Sequence, residues 1–248
     1  VFFVTAALMI PAVMALRLVA STPRRPAPPA GATRPAPAAA DASHGGWKIF
    51  LTNRPLGMLV LCVVAFHFAN GAMLPLLGGA LTQRSAEGAS ALIAACVIVP
   101  QLVVTAASPW IGRKAGLWGR RPFLILGFVT LSLRGVLFGT VSDPYWLVAV
   151  QALDGISGAI LGVVVPSAAA DATKGMGRFA LAQGLIGTAM GLGAALSTTF
   201  GGYLADSYGT SSAFFGLSVV AGFGLLVAII WMPETLARSR TTARSPAS

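Results

Sequence analysis

The feature that most constrains this chain is a series of long apolar segments that are almost free of charged side chains. Seven of them approach or exceed the roughly 20 residues that a helix needs to cross a hydrocarbon core of about 30 Å. They cover residues 1–19, 55–81, 89–111, 122–141, 145–170, 179–204 and 211–232. Lipid offers backbone groups no hydrogen-bond partner, and the alternating pattern of barrel strands is absent. We therefore predict an all-α polytopic membrane protein with seven transmembrane helices.

The loops between these segments carry charges in an alternating pattern. Of the 17 Lys and Arg residues, all but Arg84 and Arg134 fall on one predicted side of the membrane. Because cytoplasmic loops are enriched in basic residues, this side is expected to be the cytoplasm, with the N-terminal end outside. The net charge of +10 therefore indicates the lipid bilayer of the cell (inner) membrane as a partner rather than a nucleic acid.

Residues 21–46 differ from the rest because they are rich in Ala and Pro and nearly lack large apolar side chains. Such a segment cannot bury enough surface to fold, so it is expected to be a semi-extended linker. The predicted layout is an orphan transmembrane helix (1–20), a basic cytoplasmic linker (21–54), a six-helix transmembrane unit (55–233) and a cytoplasmic tail (234–248).

Seven spans divided one plus six by a basic linker resemble the C-terminal part of a major facilitator superfamily transporter. Members of that family have two six-helix halves joined by such a loop. The resemblance implies that residues 1–19 correspond to helix 6, and that residues 55–232 form helices 7 to 12 as two three-helix repeats. The chain begins at Val1, inside an apolar run. We therefore expect a fragment, completed by a missing N-terminal half or by self-association.

Residues 112–121 read GRKAGLWGRR, which resembles the family's loop motif G-x-x-x-D-(R/K)-x-G-(R/K)-(R/K). Gly116 stands where the family has Asp, and Leu117 stands where it has a base. The Asp normally anchors a charge network between helices, so the resemblance does not carry that role to this chain. A plain basic anchor at the membrane surface explains the remaining residues equally well. The matching positions are Gly112, Gly119, Arg120 and Arg121.

Four polar residues inside the spans are candidates for substrate binding or proton coupling. Arg134 and Asp154 lie at similar depths in consecutive spans, about 18 Å and 16 Å from the inside at helical rise, so they are expected to pair. His67 and Asn70 are three residues apart and share a helix face. By the resemblance, His67, Asn70 and Asp154 lie on helices that line the family's cavity. The alternatives are an ion pair and a histidine that only fix helix packing.

Other residues in the spans are expected to hold helices together. Gln101 and Gln183 suit interhelical hydrogen bonds. Two glycine pairs have the four-residue spacing that permits close helix contact, with sliding surfaces for a rocking motion as the alternative. These pairs are Gly158 with Gly162 and Gly187 with Gly191.

Together these features predict an ion-gradient-driven, proton-coupled secondary transporter of a small solute, with an efflux permease as one form. The sequence lacks a Walker-type loop and the HExxH and GxSxG motifs, so neither ATP drive nor enzymatic activity is expected, and neither a cofactor nor a metal. Two alternatives stay open: a truncated fragment that does not transport, and a seven-helix membrane receptor. The long linker after the first span disfavours the receptor.

Overall fold

The structure, a computed structural model, describes residues 53–84 and 88–233. Within these ranges every regular element is an α-helix. The helices are α1 (Arg54–Asn70), α2 (Met73–Arg84), α3 (Ala89–Trp118), α4 (Arg121–Thr140), α5 (Pro144–Val150), α6 (Ala152–Ala172), α7 (Phe179–Tyr208) and α8 (Thr210–Ile230). Two spans are interrupted, one formed by α1 and α2 and the other by α5 and α6.

The described residues form six spans that are long and apolar enough to cross a membrane. They coincide with the last six predicted segments, which confirms an all-α multi-pass membrane protein. The predicted first helix (1–19), the tail (234–248) and nearly all of the linker lie outside the described residues.

Two helices run well past the apolar segments that predicted them. The α3 and α7 helices have 30 residues each, and α3 continues through its basic residues to Trp118. It ends at Gly119, whose φ of 103° is readily adopted only by glycine. The apolar run marks the part of the helix within the hydrocarbon, whereas hydrogen bonding continues the helix beyond it.

Each interrupted span forms a hydrogen bond to a neighbouring helix at its break. Between α1 and α2, the Ala72 amide donates a 2.8 Å hydrogen bond to Ser197 Oγ on α7. Between α5 and α6, Gln151 Nε2 donates to the Cys96 carbonyl on α3 over 3.1 Å. The first contact satisfies a buried backbone amide at the break, and the second satisfies the Gln151 side-chain amine, while Gln151 Oε1 has no hydrogen-bond partner among the described residues.

Most of the principal helix contacts follow a two-fold pattern; the exception is the extensive α7–α8 contact, whose counterpart between α3 and α4 is small. The α1 helix packs on α7 and α3 packs on α6, while α4 contacts both α6 and α8, and α8 also packs on α1. The first, second and third spans can be exchanged with the fourth, fifth and sixth, respectively. This exchange maps the α1–α7 contact onto the α6–α3 contact. The same exchange maps α4–α6 onto α8–α1. This pairing is expected when two three-helix repeats build one bundle.

Small residues at four-residue spacing bring α7 against α1. A Cβ atom at Gly193 would lie 2.6 Å from the Val64 carbonyl oxygen, and one at Gly201 would lie 2.7 Å from the Ala72 side chain. Ser197, between them, is fully buried. The small residues on this face of α7 therefore let α1 and the residue that follows it pack directly against α7, as small residues allow in membranes.

The glycine pairs that the sequence singled out do not make such contacts, so that prediction is wrong for this bundle. A Cβ atom at Gly162, Gly187 or Gly191 would have no atom of the described residues within 4 Å, and at Gly158 it would only touch the Val104 side chain at 3.5 Å. Four-residue spacing places glycines on one face of a helix but does not determine which face meets a neighbour. The sliding-surface alternative remains a prediction.

Gly193→Ala is expected to destabilise the bundle by about 1–3 kcal/mol, since its Cβ would press on rigid backbone atoms of α1. Gly191→Ala, on the same helix, should stay within about 0.5 kcal/mol because its Cβ enters open space. Thermal unfolding of the two variants followed by circular dichroism measures the difference. Equal stability would contradict the close α1–α7 contact.

Candidate functional site

A buried guanidinium lies at the centre of the candidate site. The Arg134 side chain on α4 is 2% exposed and forms an ion pair with Asp154 on α6, whose side chain is 28% exposed. Arg134 Nη2 also donates to Asn70 Oδ1 and lies 3.1 Å from Met73 Sδ. The predicted Arg134–Asp154 pair is therefore confirmed. Among the described residues Arg134 Nε has no hydrogen-bond partner.

Helix packing and the break between α1 and α2 assemble this polar group. Asn70 ends α1 and Met73 begins α2, so the break presents both side chains to α4. Gly135, next to Arg134, lets α4 pack closely against α8 and α2. A Cβ at this position would lie 2.9 Å from the Ser218 side chain on α8 and 3.0 Å from Met73 Cε on α2. The guanidinium also lies 5.8 Å from the centre of the Phe138 ring, within reach of a cation–π contact.

A cavity of about 470 Å³ lies between α1, α6 and α7. Its walls are mostly apolar, with His67, Asn70 and Gln183 as the polar side chains that line it. Three of the glycines without close contacts also line it, namely Gly158, Gly162 and Gly187. Their missing side chains leave the space open. A volume and lining of this kind suit a small, largely apolar molecule.

His67 is anchored to its own helix. Its Nδ1 lies 2.9 Å from the Val63 carbonyl oxygen, to which it donates, so that Nε2 of the neutral imidazole is left as an acceptor. The ring also makes an edge contact with Phe66, with centroids 5.6 Å apart. The anchored ring can therefore present one acceptor at the cavity wall.

The four candidate site residues form two groups, which are connected through Asn70. His67 and Asn70 line the cavity, whereas Arg134 and Asp154 do not line it and lie behind Asn70. The Asn70–Arg134 contact was not predicted, although the similar depths of the two residues allowed it. No sequence signal indicated Met73.

The glutamines behave differently from the prediction. Neither the Gln101 nor the Gln183 side chain makes a hydrogen bond within the described part of the chain; Gln183 faces the cavity, and Gln101 is exposed. Gln151 makes the interhelical bond instead. Its position at a helix break, rather than its residue type, distinguishes it.

The loop motif residues contact two other helices, α6 and α8. Arg120 Nε pairs with Asp171 Oδ2 at 3.1 Å, at the end of α6, and Arg121 donates to the Ile229 carbonyl of α8. Gly119 supplies the left-handed turn, and a Cβ at Gly112 would only touch Val163 at 3.7 Å. Asp171 thus provides an acidic partner to the loop although Gly116 occupies the motif's Asp position.

Comparisons with known proteins agree with this architecture. The model of the Major Facilitator Superfamily matches residues 59–247. An uncharacterized MFS-type transporter of Mycobacterium tuberculosis (strain ATCC 25618 / H37Rv) is 39% identical over 201 residues, which is 79% of this chain and 48% of the relative. The chain therefore spans about half the length of this relative.

Two further relatives have names that state a function. Tetracycline resistance protein, class B, of Escherichia coli is 33% identical over 128 residues, covering 52% of this chain and 31% of the relative. Multidrug resistance protein 1 of Bacillus subtilis (strain 168) is 32% identical over 136 residues, covering 55% and 33% respectively. With six membrane-capable helices among its described residues and a family match across most of its length, this chain belongs to the major facilitator superfamily.

Proposed function

We propose that this chain forms one half of a transporter that moves a small, largely apolar solute across the cell (inner) membrane, driven by a proton gradient. The observation that carries the proposal is the cavity of about 470 Å³ between α1, α6 and α7, with a buried ion pair directly behind its wall. Two relatives are named for tetracycline and multidrug resistance, which favours efflux as the direction. The proposed activity is transport without a chemical step or a cofactor.

The solute contacts in this proposal are His67, Asn70 and Gln183. The His67 Nε2 acceptor and the two amide side chains provide a few hydrogen bonds in an otherwise apolar wall. A site with few polar groups orients a solute while apolar burial supplies most of the affinity.

Arg134 and Asp154 are the proposed coupling pair. Asp154 is the partly exposed member of the pair and Arg134 is buried, so Asp154 is the proposed site of protonation. Protonation of Asp154 would remove the charge that balances Arg134, and Arg134 also holds Asn70 at the cavity wall. A change in the protonation of Asp154 would therefore act on the Asn70 side chain at the cavity wall through Arg134, which contacts both residues.

A second six-helix body is proposed to close the cavity. Gly162, Gly187 and Met190 line the cavity and are exposed, and the chain spans about half of the first relative. The missing body is either an N-terminal half or a second copy of this chain. The loop charges support a cytoplasmic position for the linker and the tail.

Uptake into liposomes with an acidic interior tests the proposal, with tetracycline as the first solute. Labelling Ser245→Cys with a membrane-impermeant maleimide measures the orientation of the reconstituted molecules, and crosslinking measures the oligomeric state. We expect accumulation that is abolished when an ionophore collapses the proton gradient. Accumulation that persists without the gradient would contradict proton coupling.

The outcome also decides what completes the cavity. Uptake by a demonstrated dimer would show that two copies build it, whereas uptake only after the N-terminal half is supplied would show that the other half does. Robust uptake by a monomer of this chain would overturn the requirement for a second body. If a panel of apolar solutes gives no uptake with either completing body present, the transport proposal fails.

A further inference from the structure

The end of α3 carries an exposed aromatic surface that the proposed transport does not use. Trp110 is 45% exposed and Trp118 is 59% exposed, and both contact Phe123 at the start of α4. The ring centroids are 6.2 Å apart for Trp110 and Phe123 and 6.3 Å for Trp118 and Phe123, the latter pair stacked. We refer to Trp110, Trp118 and Phe123 as the tryptophan cluster.

Helix lengths place this cluster at the boundary of the hydrocarbon. The 30 residues of α3 extend about 45 Å at 1.5 Å per residue. A hydrocarbon core of about 30 Å leaves about ten residues of this helix outside it. The α4 helix has 20 residues and just spans the core, so its first turn, with Phe123, marks the boundary. Trp side chains are enriched at this level of a membrane.

One cation lies beside a ring of the cluster, and a second cation precedes it in the chain. Lys114 Nζ is 4.8 Å from the centre of the Trp118 ring, and Arg113 is exposed one residue earlier. Neither cation has an acidic partner among residues 53–84 and 88–233, and Asp171 at the end of α6 pairs with Arg120 instead. The surface of the cluster is therefore both positively charged and apolar along the same end of α3.

We propose that the tryptophan cluster, with Lys114 and Arg113, binds the headgroup of an anionic phospholipid. The phosphate is held by Lys114 Nζ and Arg113, and the glycerol region packs on the exposed faces of Trp110 and Trp118. A phospholipid fits because it alone presents an anion and an apolar body together at the hydrocarbon boundary, where basic residues attract anionic lipids. This site depends neither on transport nor on which side of the membrane it faces.

Quenching of tryptophan fluorescence by brominated lipids tests the site. Trp47, Trp146 and Trp231 are replaced by Phe, so that only Trp110 and Trp118 report. The protein is reconstituted in phosphatidylcholine bilayers containing either brominated phosphatidylglycerol or brominated phosphatidylcholine. We expect the cluster to prefer phosphatidylglycerol by at least about fivefold, which is the effect of one nearby cation, because Arg113 adds to the effect of Lys114.

Matched variants assign the preference to Lys114. Lys114→Gln is expected to lower the preference about fivefold, and Lys114→Arg should retain it. Lys174→Gln is the control, because Lys174 is an exposed cation in another loop with no ring contact in the described structure. Circular dichroism confirms that the variants are folded. Equal quenching by the two lipids in the parent, or equal effects of the two Gln variants, would overturn the proposal.

Discussion

Asp154→Ala is expected to remove most of the folded protein, because it leaves the Arg134 guanidinium charged inside the bundle without its anion. Arg134 is only 2% exposed, and breaking a buried ion pair by removing one partner typically costs about 3–5 kcal/mol. Arg134→Ala should cost less, since the Asp154 side chain that it leaves behind is 28% exposed and is therefore less enclosed by the protein than Arg134. The amount of monodisperse protein on size exclusion and its thermal unfolding measure both effects.

The double variant distinguishes pairing from two independent roles. Arg134→Ala combined with Asp154→Ala removes both charges, so it should be better folded than Asp154→Ala alone. Asp206→Ala is a suitable control because Asp206 is exposed near the end of α7, and it should have little effect. A double variant as impaired as the sum of the two single variants would refute the energetic coupling of the pair.

Gly187→Trp is expected to lower solute binding at least tenfold, because its side chain would occupy the cavity between α1, α6 and α7. Gly187 lines the cavity, and a Cβ there would meet no described atom within 4 Å, so the substitution fills space without distorting helix packing. Equilibrium binding of the solute identified in the uptake assay measures the loss directly, without a transport assay on each variant.

Gly184→Trp provides the matched control on the same helix. Gly184 is also exposed and free of close contacts within the described part of the chain, but it does not line the cavity. Its replacement should leave solute binding unchanged. Loss of binding in both variants would indicate a general effect on α7 rather than a blocked cavity.

The sequence could predict those features that depend on the bilayer and on local order along the chain. The apolar segments gave the six described spans, since a fixed hydrocarbon thickness imposes a minimum helix length. The Arg134–Asp154 pair was also predictable, because two charges at similar depth in consecutive spans have few other partners. Helix ends were less predictable. The α3 helix runs to Trp118, past its apolar segment, because a helix extends as far as its backbone hydrogen bonds continue and not only as far as its side chains are apolar.

Only the tertiary structure decided which side chains meet across helices that are distant in sequence. Spacing placed Gly187 and Gly191 on the same side of α7 but could not show that neither has a close neighbour, or that Gly193 packs on α1 instead. Asn70 reaches Arg134 because the span breaks directly after it. The physical reason is that helical periodicity fixes the angle between residues of one helix, whereas the rotation of each helix about its axis is set by packing against all its neighbours.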